Sequence, residues 1–489
     1  MEEERRIPVS DSTNGYGSAV KPGKDQTNLH DLIEECGFGT FQWLYLTLFG
    51  LIYLSDAAEI ALSGIILSTL KCEWDLSSLE EGLIPFMVLV SYAIGSVVGG
   101  KMSDEYGRKR LLIIMLPLLV LFSILSAFAP EFWSFIVFRS IVGLTIGSNT
   151  AAVTTFAMEI VPIKDRAFAM FVINVWYVLG GCYVYAMGLI FMNQFGWRVI
   201  VLLTAVPTVV SCLSSCFILE SPRYLFVCGR MSELSDTLAR MFKMNDKVLP
   251  KYNLGEHVEE SRGSIPEIFE GDYFRITILL AQAFTINAFI EYGAALLLPD
   301  MFVYDYCSDT SLFDDDNSCY MSNSEYLYML LIGSVSLPAV LVAYLTCDKF
   351  GRIRTMLFSG AVTLVGLIML LICINMYVLV GEAAIVVFFS VLQNCALWLY
   401  LPESYPTYVR NAAVGVVNGV GKLGAALGSL ITEIVAGSSI RACLTLYVCL
   451  TAYQLVCIYL MKRDTVGLRL DDTRAAARER SQSQAQETG

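Results

Sequence analysis

Two stretches decide the fold: G-K-M-S-D-E-Y-G-R-K-R at residues 100–110 and Y-L-T-C-D-K-F-G-R-I-R at residues 344–354. Asp104, Gly107, Arg108 and Arg110 of the first recur as Asp348, Gly351, Arg352 and Arg354 of the second, at a constant offset of 244. One D-x-x-G-R is a common tight, basic turn. Two copies at corresponding positions are an internal repeat. The offset holds elsewhere. M-E-I-V-P-I-K-D-R (158–166) aligns with P-E-S-Y-P-T-Y-V-R (402–410), so Glu159, Pro162 and Arg166 map to Glu403, Pro406 and Arg410. Further on, Asn174 maps to Asn418 and Gly180 to Gly424.

The chain outside these motifs is too apolar for an ordinary soluble protein. It has 489 residues, 55% of them hydrophobic, with mean hydropathy +0.59. The apolar residues fall in twelve blocks centred near residues 55, 92, 120, 144, 179, 208, 287, 335, 365, 389, 424 and 450. Blocks of about 20 apolar residues match the hydrocarbon core of a bilayer. The expected fold is an all-α membrane protein of twelve transmembrane helices in two pseudo-symmetric six-helix bundles. The expected organisation is an N-terminal tail with a short interfacial helix (1–40), a first bundle (41–219), a linker (220–273), a second bundle (274–462) and a tail (463–489). Basic residues crowd the connections after even-numbered helices, including Lys101, Lys109, Lys164, Arg223 and Lys349. The positive-inside rule then puts both termini in the cytoplasm. No cleavable signal peptide is visible.

Net charge of -13 argues against nucleic acid as a partner. The two histidines, His30 and His257, lie outside the apolar blocks, and no nucleophile–base motif stands out, so an enzyme is not expected. No cofactor or metal is implied. Most of the fourteen cysteines lie in apolar blocks; Cys72, Cys307 and Cys319 do not. A Cys307–Cys319 disulfide fits an oxidising side of the membrane, although three candidates leave the pairing open.

Several polar residues sit inside the apolar blocks. In Y-L-S-D-A-A-E-I-A-L (53–62), Asp56 and Glu59 are three residues apart and share a helix face. An ionised carboxylate at the centre of a membrane helix costs roughly 2.5–3.5 kcal/mol, so such residues mark pathways or partners. Two nearby carboxylates in an apolar site repel, which suits one of them to carrying a proton. The pair equally suits a cationic substrate, or anchoring to an arginine. Asn149, Asn287, Glu291, Tyr292, Gln393, Asn394 and Trp398 are further polar candidates for a central cavity; interhelical hydrogen bonding is their plainer role. Lys422 stands alone in V-N-G-V-G-K-L-G-A-A-L-G and needs a partner, either an anionic substrate or Asp56 or Glu59.

The repeated loop resembles the signature of the major facilitator superfamily, over residues 37 to 462. R-S-I-V-G-L-T-I-G (139–147) is similar to its second motif, and E-S-P-R-Y-L (220–225) to its sugar- and organic-ion-porter branches. Within the superfamily, G-F-G-T-F-Q-W (37–43), D-A-A-E (56–59), C-E-W (72–74) and L-S-A-F-A-P (125–130) resemble the synaptic vesicle 2-related branch. The long glycosylated loop of the larger synaptic vesicle glycoproteins is absent, as is the Pro-containing fifth-helix motif of drug antiporters. The resemblance implies a central cavity lined by helices one, four, seven and ten, a role for Arg139 in proton coupling, and a basic residue near Lys422 as in related organic-ion transporters. It implies gates built from Asp104, Gly107, Arg108, Glu159 and Arg166, and from Asp348, Gly351, Arg352, Glu403 and Arg410, that hold the halves together on one side. The expected activity is secondary active transport of a small organic ion by alternating access, coupled to protons. The alternative is a transporter-like vesicle protein that binds a ligand or partner without net transport. A vesicle membrane is implied by resemblance, with the plasma membrane open; a monomer is the working expectation.

Overall fold

The computed structural model describes residues 29–254, 265–303, 306, 321–372, 374–405 and 407–461. Residues 1–28, the tail 463–489, Pro406, Cys307, Cys319, His257 and the Asp-rich part of the 300–323 loop lie outside the described residues. Among the described residues twelve helices are long and apolar enough to cross a membrane. They are α1 (Thr40–Trp74), α2 (Ser78–Tyr106), α3 (Arg108–Ala127), α4 (Phe132–Ile160), α5 (Ile163–Phe195), α6 (Trp197–Ser215), α7 (Tyr273–Phe302), α8 (Asn323–Phe350), α9 (Arg352–Leu370), α10 (Met376–Glu403), α11 (Ala413–Ala436) and α12 (Ile440–Leu460). Among the described residues no strand ladder interrupts them, and helices satisfy the backbone of a chain in lipid.

The repeat is visible in local chemistry. Ser77 accepts a hydrogen bond from Glu80 N (3.4 Å), while the Glu80 carboxylate accepts from Ser77 N (3.0 Å). Ser322 and Glu325 make the same box at the start of α8, at 3.4 and 2.9 Å. Such reciprocal caps satisfy two otherwise orphaned donors. At the other ends of α2 and α8, Gly107 and Gly351 have φ of 101° and 92°. A side chain there would clash with the backbone, so glycine lets each chain reverse into the next helix. The D-x-x-G-R repeat is thus a pair of glycine-hinged helix–helix turns. They define what we call the loop side; the opposite end of the bundle is the far side.

The apolar core is divided unevenly between these two ends. On the far side one continuous cluster joins both halves, running from Ile65 and Phe135 to Leu297, Tyr326 and Tyr447. On the loop side each half has its own cluster, one around Phe49, Leu112 and Phe156, the other around Met356, Leu397 and Val409. Glycines report the same asymmetry. A Cβ on Gly82 of α2 would stand 3.1–3.2 Å from Leu430 and Glu433 of α11. One on Gly100, Gly415 or Gly419, nearer the loop side, would meet open space. The halves are therefore packed together along the far side and more loosely on the loop side, where Phe168 and Phe171 of α5 still meet Tyr344 of α8 at 6.1 and 5.1 Å between ring centroids.

Residues before and after the first bundle dock onto its loop side. The helix Leu29–Cys36 and the linker helix Met231–Met244 are tied together by Asn245. Its side chain accepts from Phe41 N (2.9 Å) and donates to Gln42 Oε1 (2.9 Å). Gln42 in turn donates to Ile160 O (3.1 Å).

Candidate functional site

Asp56 and Glu59 share helix α1 but not a role. Glu59 is fully buried between α1, α3 and α4. Arg139 Nη1 donates to its Oε2 at 2.6 Å, and Ser123 Oγ donates to its Oε1 at 2.6 Å. Arg139 Nη2 also donates to the Glu59 carbonyl. The expectation that both acids face a water-filled cavity is thus corrected for Glu59: it is one half of a buried ion pair inside the first bundle. Arg139 neither snorkels nor faces the centre. Helix α4 runs beside α1 there, so the guanidinium reaches its carboxylate within the bundle.

Asp56 is also buried, 2% exposed, but far less satisfied. Thr150 Oγ1 donates to its Oδ2 at a long 3.4 Å. Asn149 stands beside it. Yet Asp56 Oδ1 and both amide atoms of Asn149 lack a hydrogen-bond partner. Native structures leave few such groups without a reason.

A second polar group bridges the halves. Lys422 of α11 donates to Tyr292 Oη of α7 at 3.0 Å. Its ammonium lies over the rings of Tyr92 (4.6 Å) and Tyr292 (5.0 Å). Ring faces attract cations through their quadrupole. Tyr177 of α5 borders both Tyr292 and Lys422, and Tyr53 of α1 packs on Tyr177 at 6.3 Å between centroids. Glu291, one residue from Tyr292, accepts from Asn394 of α10 (2.8 Å) and from Asn287 (3.4 Å). Among the described residues Lys422 has no carboxylate within ion-pair distance, so it pairs with neither Asp56 nor Glu59. Tyr53, Tyr92 and Tyr177 were absent from the sequence expectations; tyrosines in mid-helix, whose hydroxyls need partners, were the available signal.

The remaining candidates lie elsewhere. Gln393 is buried within the second bundle against Gly360 of α9, away from the central group. Trp398 makes an edge contact with Phe284 of α7 at 5.4 Å and is 40% exposed.

The loop-side motifs form the same triad in each half. Arg108 Nη2 binds Asp104 Oδ1 (2.9 Å) and Glu159 Oε1 (2.9 Å). Arg352 Nη2 binds Asp348 Oδ1 (2.7 Å) and Glu403 Oε1 (2.9 Å). Arg108 also donates to Ser103 O (3.1 Å) and Arg352 to Cys347 O (3.3 Å). Each triad closes off the end of its own glycine turn. This corrects the expectation that these pairs hold the halves together: each triad lies within its own half. The arginine follows its turn glycine directly, so it reaches the next helix pair of the same bundle. Glu159 is shared with Ser221 of the linker. Arg166 makes no ion pair with it; its electrostatic neighbours are Arg223, Glu34, Arg410 and Glu159. Arg410 donates weakly to Tyr405 O (3.4 Å). Cys72, at the far end of α1, is disulfide-bonded, whereas the other two candidates, Cys307 and Cys319, are not described.

Two six-helix halves around a shared polar centre are the architecture of a membrane transporter. A profile of the "Sugar (and other) transporter" family matches residues 38–476, and the chain belongs to that family, within the major facilitator superfamily. It is 32% identical to the synaptic vesicle 2-related protein of Rattus norvegicus, over 88% of this chain and 79% of that protein. It is 26% identical to organic cation/carnitine transporter 7 of Arabidopsis thaliana, over 94% and 98% respectively. A partially occluded, inward-open structure of the xylose transporter XylE from E. coli superposes with a TM-score of 0.68 at 16% identity, covering 88% of this chain and all (100%) of that one. That likeness shows the fold. The relatives are transporters, not enzymes.

Proposed function

We propose that this chain moves a small organic ion across its membrane by alternating access, coupled to protons. The observation that carries the reading is the central group: a lysine with no carboxylate within ion-pair distance among the described residues, Asp56 with an unpartnered oxygen, Glu291 held by two amides, and four tyrosines, contributed by both halves. Buried charges of this kind are expensive unless a ligand or proton completes them. Asp56, with an unpartnered oxygen and an unpartnered Asn149 beside it, is the proton carrier in this reading. Lys422, Glu291 and the tyrosines hold the substrate. Asn287 and Asn394 position Glu291. The two arginine triads keep each half rigid, so that the halves rock as bodies.

The loop side is the cytoplasmic side in this reading, so both termini are cytoplasmic and the conformation is inward-facing. Basic loops support this, and so does a disulfide at Cys72 on the far side, where an oxidising lumen is expected. Similarity to synaptic vesicle 2-related proteins supports a vesicle membrane. The name of the plant relative supports an organic ion as cargo.

The test is uptake into proteoliposomes with an imposed pH gradient, screening organic cations, anions and zwitterions, with Asp56→Asn beside wild type. Gradient-driven uptake that the variant loses supports proton coupling through Asp56. Uptake that the variant keeps removes Asp56 from the mechanism. No uptake of any compound by folded protein favours the binding protein without transport.

A further inference from the structure

Far from the central group, the far-side closure buries three more acids. Glu81 of α2 is 2% exposed and Glu433 of α11 is 3% exposed. Asp300, near the end of α7, is half-buried and within electrostatic range of both. Among the described residues one cation accompanies them: Lys71 Nζ of α1 lies 2.8 Å from Glu81 Oε2. Cys443 and Tyr447 of α12 face the same group. The Glu433 carboxylate has neither a hydrogen bond nor an ion pair among the described residues, although it is almost wholly enclosed. A buried polar group of this kind calls for an occupant.

The position of the cluster gives the occupant a consequence. Glu433 sits at the tightest approach of the halves, where a Cβ on Gly82 would be 3.2 Å from Glu433 Cβ. One turn on, Gly437 closes against Ser78. Three carboxylates against one ammonium leave two negative charges in an enclosed space, and an unpaired buried charge is strongly disfavoured. No metal-ligating cluster is found among the described residues, so a bound divalent ion is not the occupant the geometry favours. Protons are. When this side opens, water reaches the acids and the charge becomes tolerable.

We propose that Glu81, Asp300 and Glu433 form a proton-binding site whose protonation holds the two halves closed on the far side. The proposal rests on the alternating-access reading, because it presupposes a state in which this side opens. The closed form binds more protons than the open form, so lowering pH favours closure and raising pH favours opening. The site is separate from Asp56 and lies in the opposite gate, so it makes release of the gate depend on the pH of the compartment it faces.

The experiment is distance measurement by electron spin resonance on the full chain in nanodiscs, between pH 5.5 and 8. Labels go on noncanonical residues at Leu79 and Ser438, both exposed on the far side, which leaves the native cysteines untouched. The expected result is a short-distance population at low pH that gives way to a longer one as pH rises. With two linked protons the closed-to-open ratio falls by up to about 100-fold per pH unit, and with one by up to about 10-fold. Glu433→Gln is expected to show the shallower dependence and to stay closed to higher pH. Asp300→Asn, at a less enclosed position, is the second variant and is expected to do the same. A distance distribution in wild type that ignores pH overturns the proposal, as does a wild-type slope in both variants. No substrate is involved, so absence of uptake in proteoliposomes is a separate outcome that bears on transport and not on this site.

Discussion

Replacing Arg139 with methionine isolates what the buried pair with Glu59 contributes. The guanidinium gives Glu59 a 2.6 Å ion-pair contact and a second bond to its carbonyl, and the two side chains are 1% and 0% exposed. Two views of this contact predict different sizes. If it counts as ordinary interhelical hydrogen bonding, at about 0.6 kcal/mol per bond, the loss is about 1 kcal/mol. If removal strands an enclosed carboxylate, the loss is about 3–5 kcal/mol. Ser123 remains as the sole donor to that carboxylate, and one hydroxyl does not neutralise a charge, so the larger value is the expectation. At about 1.4 kcal/mol per tenfold, this is roughly a 100- to 4,000-fold loss in the folding equilibrium. Reversible unfolding in mixed micelles with increasing SDS measures it. The double variant Glu59→Gln with Arg139→Met removes both charges and is expected to recover to within about 1 kcal/mol of wild type, since replacing a whole buried pair is often neutral. A single variant that loses only about 1 kcal/mol, or a double variant no better than the single, refutes the reasoning and returns Arg139 to the proton-coupling role.

Gly107→Ala and Gly351→Ala each place a side chain at positive φ, which costs about 1–2 kcal/mol. Gly107→Ala adds a further cost because its methyl also collides with Glu220; a Gly107→Ala, Glu220→Ala double variant that melts no higher than Gly107→Ala alone would argue against the contact. Asn245→Ala removes two bonds that dock the linker on α1, at about 1–3 kcal/mol for buried groups left unpaired. Faster proteolysis within 231–254 than in wild type is the readout. Arg108→Gln should slow turnover much more than Asp104→Asn, because Arg108 keeps its Glu159 contact when Asp104 is neutralised; equal effects would sink the triad as the functional unit. Lys422→Met should abolish substrate binding while leaving thermal stability near wild type, and retained binding in a radioligand assay would move the substrate site elsewhere.

The architecture was legible because it is written in length and repetition. Twelve apolar blocks and one constant offset need no knowledge of contacts, and the glycine of D-x-x-G-R names its own backbone conformation. Pairings were less legible. These helices are apolar nearly all round, so periodicity does not say which face meets which neighbour. Asp56 and Glu59 lie on one side of α1 in projection, yet the arginine that claims Glu59 is 80 residues away. The i,i+4 part of each triad followed from spacing; that Glu159 and Glu403 join from within the same half required the fold. Glu81 and Glu433 were passed over because acids near the ends of apolar blocks usually meet headgroups, and only the docking of α2 on α11 buries them. Tyr53, Tyr92 and Tyr177 went unremarked in the sequence, because only the fold brings Tyr92 and Tyr177 to Lys422 and Tyr53 to Tyr177.

Placing the arginine triads inside each half changes what must close the loop side in the proposed cycle. A contact that stays within one rigid body is the same in both states, and it biases neither. The groups that can differ between states are those that face the other half. On the loop side these include Arg166 and Arg410, which lie within electrostatic range of each other across the halves. Two cations approaching in a partly buried setting repel, so in the described conformation they favour parting of that side. Glu34 and Glu159 are the nearest opposing charges to Arg166, but Glu159 is already committed to Arg108 and Ser221. A Glu159 released from Arg108 is one group that would offset this repulsion at Arg166. The far side has the opposite composition, an excess of acids that protons neutralise. A cation-rich gate at one end and an acid-rich gate at the other therefore differ in what closes them: protons neutralise acids, whereas arginines keep their charge at physiological pH and need an anion.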